Sequence, residues 1–167
     1  MNRRRLEFEA MHDALLAVAG RLDVSLGGRP VDIEQPPFSN RRALYARIDR
    51  NNFSSLLRTF DYPSPDASSP GRPVTTVPQQ ALYGLNSPFL REISESVVLH
   101  TGAAQLRDDA GQPDRAGQVT RLYRQILARD PAEDELRLGV DFLASHADDL
   151  PVLAQALLLT NEFFFVD

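Results

Sequence analysis

The sequence predicts a mainly α fold: a single helical-bundle domain of about six or seven helices with a small β-hairpin insertion, over residues 1–167. Three observations carry this reading. Apolar residues recur at three- and four-residue spacing through most of the chain, which places them on one face of a helix. Alternation, the mark of a strand, is confined to a short arginine-rich stretch. The segment before the last residues is apolar on nearly all sides, as suits a helix inside a bundle. The domain divides into an N-terminal helix plus hairpin (1–62), a Pro/Ser-rich loop (63–73) and a helical body (74–167).

Composition is that of an ordinary globular protein, with 43% hydrophobic and 25% charged residues. A chain of this size buries roughly 70% of its unfolded surface, so no cross-link is needed. Cysteine is absent, which excludes disulfides, thiolate zinc sites, a cysteine nucleophile and haem attached through CxxCH. No apolar run reaches the roughly 18 residues of a membrane span. The start, MNRRRLEFEAMHDALL, is basic as a signal peptide would be, but acids interrupt its apolar part, so no export signal is read in this chain. All eighteen basic residues are arginine, read as the mark of a GC-rich genome. Residues 1–60 carry ten arginines against seven acids and residues 61–167 eight against sixteen, for a net charge of -5. Nucleic-acid binding is not expected of such a chain.

A helix is predicted over residues 3–19, with Phe8, Met11, Leu15, Val18 and Leu22 as its apolar stripe. Arg3 and Glu7, and Arg5 and Glu9, are four apart and pair on its outer face. Three arginines in a first turn oppose the macrodipole. Either Asn2 caps the helix regardless, or the helix begins upstream in a longer parent chain; the second reading is preferred. Next, Gly27–Asn40 is broken by glycine and proline around one extended candidate, Val31–Glu34. RRALYARID then alternates, Leu44, Ala46 and Ile48 against Tyr45 and Arg47, and is expected to pair with it as a hairpin. Asn52–Pro63 reads as a short helix ended by YPSP, and Pro63–Pro73 as an exposed loop.

The stretch VTTVPQQALYGLNSPF, Val74 to Phe89, holds two helix starts. Thr76 and Gln79 have the spacing of a capping box, and Pro78 sits in the first turn. Asn86 or Ser87 ends this helix and caps the next, with Pro88 in its first turn. Thr75, Gln80 and Asn86 are left without a structural task. After a polar loop, Val119, Leu122, Tyr123, Ile126 and Leu127 mark a further helix, and Asp130, Pro131 and Glu133 start another whose stripe is Leu136, Val140 and Leu143. The last long helix begins at Asp148 or Asp149, and the closing phenylalanines should be buried or paired with a partner.

Few constellations point to chemistry. His12, His100 and His146 lack HxxxH or HxH spacing, so a metal site from them would need tertiary convergence. No glycine-rich phosphate loop or nucleophile elbow is present. The acids at Asp108/Asp109, Glu133/Asp134/Glu135 and Asp148/Asp149 fall at loops and helix starts, where they complement helix dipoles. Asp61, between Phe60 and Tyr62, is either a turn-making residue or a buried acid pairing an arginine such as Arg42 or Arg50. The arginines of Asn40–Asn52 are expected to pair with Asp32, Glu34 and Asp49. If the hairpin and TTVPQQ converge, Arg42, Asp61, Thr75, Thr76, Gln80 and Asn86 form one candidate binding cleft. No catalytic residue, metal ligand or cofactor is assigned.

NRRRLEFEAMHDALLAVAGRLD, RRALY, LLRTFDYPSPD, TTVPQQALYGLN, ILARDPAEDEL and LLLTNEFFFVD stand in an order that resembles the planctomycete domain of unknown function called PSD-one, over essentially the whole chain. FDYP, TTVPQQAL and the closing NEF together make the likeness specific. The resemblance implies the C-terminal part of a large exported protein, in an extracytoplasmic setting, often beside a c-type cytochrome-like domain. It brings no catalytic residues. Val119–Phe164 also resembles a helical module of secreted bacterial proteins, although Glu135 and Leu136 stand where that module usually has glycine and leucine. The expected function is a non-catalytic accessory or interaction module that packs on neighbouring domains. The alternative is part of a carbohydrate-acting enzyme or redox system working with the cytochrome-like domain, with polysaccharide as its ligand.

Overall fold

The structure, a computed structural model, describes residues 4–73, 75–146 and 149–166. Helix α1 runs from Phe8 to Val18, with the extended Glu7 before it and Glu9 in its first turn. Two of the three arginines that conflicted with a helix start are not helical. Arg4–Arg5 form strand β1, antiparallel to β2 at Phe165–Val166, with Arg4 opposite Val166 and Arg5 opposite Phe165. The Leu6 N–H extends this pairing to the Phe164 carbonyl at 2.8 Å. Asn2 and Arg3 lie outside the described residues. The predicted Arg5–Glu9 pair gives way to Glu9 with Arg72, bound through both carboxylate oxygens at 2.6 and 2.7 Å.

The fold is mainly α, and its small two-stranded antiparallel element is the β1–β2 pair. Val31 and Ala46, in the two segments predicted as a hairpin, meet instead through an isolated parallel bridge, and Ala43–Tyr45 is a 3-10 turn. Asp13 on α1 explains the turn: its carboxylate accepts from the Ala43 N–H at 2.7 Å and from Arg42 Nε at 2.8 Å. That pair of bonds holds the chain bent where alternation alone would extend it. Asp32 and Asp49, expected to pair arginines, accept instead from the backbone N–H groups of Glu34 and Asn51.

Helix α2 spans Ser55–Thr59 and is capped by Ser54, whose hydroxyl accepts from the Leu57 N–H at 3.1 Å. The two helix starts of the proline-rich stretch become α3, Pro78–Asn86, and α4, Pro88–Thr101. The Thr76/Gln79 capping box does not form. Val77 takes the N-cap position of α3, so Thr76 is one residue out of register. Gly102, left-handed at φ 65, ends α4. Helix α5 covers Arg115–Leu127, capped by Asp114, and α6 covers Glu133–Ser145 with three acids in its first turn. Asp130, read as part of that start, pairs with Arg124 instead. Helix α7, Leu150–Leu158, is capped by Asp149; Asp148, the other candidate, lies outside the described residues. The one-turn helix α8, Asn161–Phe164, precedes β2 and brings the described helices to eight.

Helix α7 packs chiefly on α4, α5 on α6, and α1 on the 43–45 turn and α4. Phe8, Leu15, Phe89, Ile93, Leu122 and Leu158 are among the fully buried side chains of one continuous core. Phe163 and Phe164 pack against it but stay only half-buried, as does Phe165, and Val166 is 51% exposed, so the apolar tail is covered in part by the body and by β1. Among the described residues no helix is long and apolar enough to cross a membrane.

Candidate functional site

Three of the six candidate residues converge, around a fourth that the sequence reading placed elsewhere. Asp61 follows α2 at φ 60, a left-handed conformation that aspartate tolerates better than most side chains. There its carboxylate accepts three hydrogen bonds: from Thr75 Oγ1 at 2.6 Å, the Thr75 N–H at 2.9 Å and Arg5 Nη2 at 2.8 Å. Gln80, in the first turn of α3, accepts from Arg5 Nη1 and donates from Nε2 to the carbonyls of Thr59 and Thr75 at 2.8 and 3.2 Å. Arg5 Nη1 also donates to the Thr75 carbonyl. Strand β1, the end of α2 and the start of α3 are thereby locked together.

Burial on its own would raise the Asp61 carboxyl, but the bonds from Thr75 and Arg5 outweigh it and hold its pKa below the usual range. A carboxylate so stabilised is a weak base. Three bonds occupy it, and the Gln80 amide and the Thr75 hydroxyl proton are engaged internally, while Arg5 Nε is buried without a partner among the described residues. The cluster thus works as a latch, with the Arg5 guanidinium over the Phe60 ring at 5.9 Å.

Of the other candidates, Arg42 and Asn86 lie apart, whereas Thr76 adjoins the cluster. Arg42 pairs with Asp13, not Asp61. Asn86 donates from Nδ2 to the Leu82 carbonyl at 2.9 Å and borders a cleft of about 500 Å³ beside Phe38, Tyr83 and Phe89. Thr76 borders a separate, mostly apolar cavity of about 340 Å³ with Arg5, Met11, Phe60, Gln80 and Phe164. Among the described residues no group of three or more histidines or acids is placed to hold a metal ion.

Arg129 is the centre of a second charged cluster. Arg129 binds both oxygens of Glu135 at 2.6 and 2.8 Å and both oxygens of Glu162 at 2.6 and 2.7 Å, joining the α5–α6 turn to α8. The Arg129 bond, followed by one from the Ala132 N–H, lowers the Glu135 pKa to about 2. Both this knot and Arg5 escaped sequence reasoning. For Arg5 a signal existed: a run of arginines is a poor helix start, so its most economical place was outside the helix.

The chain belongs to the PSD1 family, described as a protein of unknown function (DUF1553), whose family model matches residues 1–143. No curated protein and no solved structure matches it. The matched span stops within α6, short of α7, α8, β2 and the closing NEFFFVD.

Proposed function

We propose that the chain is a non-catalytic interaction module of a larger extracytoplasmic protein in a planctomycete or related bacterium. It packs on neighbouring domains of that protein, a c-type cytochrome-like domain among them. One observation carries the reading: α3 and α7, themselves without charged side chains, expose a partly apolar surface rimmed by Arg91, Glu95 and Asp149. No residue from Pro73 to Leu90 is charged, and none from Leu150 to Asn161. Gln155 Nε2 ties the two helices by donating to the carbonyls of Gly84 and Leu85. Leu82, Leu85 and Val152 stand 56%, 63% and 46% exposed there. In a chain of which 25% is charged, such a face suits contact with protein better than contact with water.

Hydroxyl-radical footprinting of Leu82, Leu85 and Val152 tests this in the full-length protein and in the isolated 1–167 chain. Protection in the full-length protein alone is the expected result. Equal labelling in both would remove the support. A saturable thermal shift with sulfated or neutral oligosaccharides, abolished by Gln80→Ala, would instead favour the carbohydrate-acting alternative.

A further inference from the structure

The seam between α1 and α4 holds a titratable side chain that the latch does not use. His12 is 2% exposed, and its ring stacks on Phe89 with centroids 4.7 Å apart and planes at 0°. Phe8 flanks it at 6.0 Å. Among the described residues neither Nδ1 nor Nε2 has a hydrogen-bond partner. As a neutral imidazole, the ring serves as an aromatic core residue. As an imidazolium, it would bring a charge and two N–H donors into an apolar stack that offers no acceptor. We infer that His12 makes the seating of α1 on α4 acid-sensitive, so that protonating the ring expels it from between Phe8 and Phe89 and loosens α1.

The surrounding charges do not rescue the protonated ring. On α1, Asp13 acts on it and favours the cation, but that carboxylate is already engaged by Arg42 and the Ala43 N–H of the 43–45 turn. From α4 the ring meets Phe89; on the same helix Arg91 is exposed and Glu92 is paired with Arg21. The 33–38 segment contributes Phe38, edge-on to Phe89, and α2 is followed by Phe60, which packs on Phe8. A cation stacked on Phe89 recovers only part of the lost hydration. Burial therefore outweighs Asp13 and lowers the pKa from 6.5 to about 4.

Several contacts move with α1. Asp13 holds the 43–45 turn, Glu9 holds Arg72 of the proline-rich loop, and the Val18 carbonyl accepts from Gln125 of α5 at 2.7 Å. Because the folded ring binds its proton more weakly than the unfolded one, stability is complete above pH 6.5. It falls as the pH drops toward about 4, with the folded-to-unfolded ratio declining about a hundredfold.

The test compares urea unfolding of wild type and His12→Phe between pH 7 and 4, with hydrogen exchange at α1 and an NMR titration of the His12 ring. The wild type should lose about a hundredfold more of its folding ratio than the variant. Exchange at α1 should quicken first, and the His12 ring should not titrate above pH 5. Parallel losses in both proteins, or a folded ring titrating near 6.5, would overturn the inference. If His12→Phe does not fold, His12→Leu replaces it, and the wild-type ring titration decides independently.

Discussion

Arg5 and Asp61, separated by 56 positions in sequence, meet at 2.8 Å with each side chain only 11% exposed. The contact fastens the strand at one end of the chain to the turn after α2. Through Thr75 and Gln80 it also reaches the start of α3. Replacing such a pair by apolar groups can be neutral, whereas removing one partner strands the other without its counter-charge.

Arg5→Ala should therefore destabilise the chain by about 3 kcal/mol, the lower end for breaking a buried pair. Arg5→Lys should recover little, since an ammonium cannot reproduce a fork that reaches Asp61, Gln80 and the Thr75 carbonyl together. Urea unfolding at neutral pH measures both. A loss below about 1 kcal/mol, the range of exposed pairs, would show that solvent screens the latch.

Asp61 combines a left-handed backbone with a charged acceptor, and two variants separate these roles. Asp61→Gly relaxes the backbone but deletes the carboxylate. Asp61→Asn keeps the shape and one acceptor without the charge. Both should be less stable by roughly 1.5–3 kcal/mol, the range for hydrogen bonds to a charged group. If the glycine variant matched or exceeded wild type in melting temperature, the turn geometry, and not the latch, would be what Asp61 supplies.

How much of this was legible depends on where the information sits. The stripe of α1 through Phe8, Met11 and Leu15, the two proline-led helix starts and the extent of α7 rest on local periodicity, and they appear in the structure close to where the sequence placed them; α7, however, is not enclosed by the bundle as its composition suggested, since Val152 and Ala156 are exposed. Arg5, Asp61, Thr75 and Gln80 meet only through tertiary folding. The unusual polarity of Thr75 and Gln80 was visible without their partner. The hairpin failed for a related reason: alternation in RRALYARID is a local signal, and the Asp13 carboxylate that bends Ala43–Tyr45 comes from about 30 residues earlier. The capping box failed by a single residue at Val77, the usual scale of uncertainty at helix ends.

The Arg129 knot should give the protein a second acid-sensitive window, below that of His12. Glu135 in the folded chain titrates at about 2, below its ordinary 4.5, because Arg129 and the Ala132 N–H stabilise its charge. A lowered carboxyl pKa contributes stability that is full above 4.5 and is lost as the pH falls toward about 2. Melting curves of wild type and Glu135→Gln between pH 5 and 2 should show a shallower slope in the variant. High salt should shrink the difference, since the cluster is partly exposed. Equal slopes would place the acid loss at other carboxylates.

The family match ends at Leu143, but a fragment of residues 1–143 should not fold cooperatively. It would lack Leu150, Leu153, Leu157 and Leu158 of α7, all buried, and the β2 partner of β1. Four leucines at roughly 1.5–3 kcal/mol each are comparable to the whole stability of a typical domain, about 5–15 kcal/mol. Circular dichroism with thermal melting decides. A sharp transition at a temperature near that of the full chain would mean that α4 finds cover without α7.

Gly139→Ala sets helix propensity against packing at the α5–α6 contact. Alanine in a helix interior gains about 1 kcal/mol over glycine. A Cβ at residue 139 would, however, meet both methyls of Val119 at 2.9 Å. Val119 is fully buried and branched at Cβ, so no rotation withdraws both methyls at once. Overpacking of this kind costs about 1–3 kcal/mol. The clash should therefore win, lowering the melting temperature, while Gly139→Ala combined with Val119→Ala should lose the clash and leave a cavity in its place. The sign of the single variant is decisive: a higher melting temperature for Gly139→Ala would mean that α5 and α6 move apart at little cost.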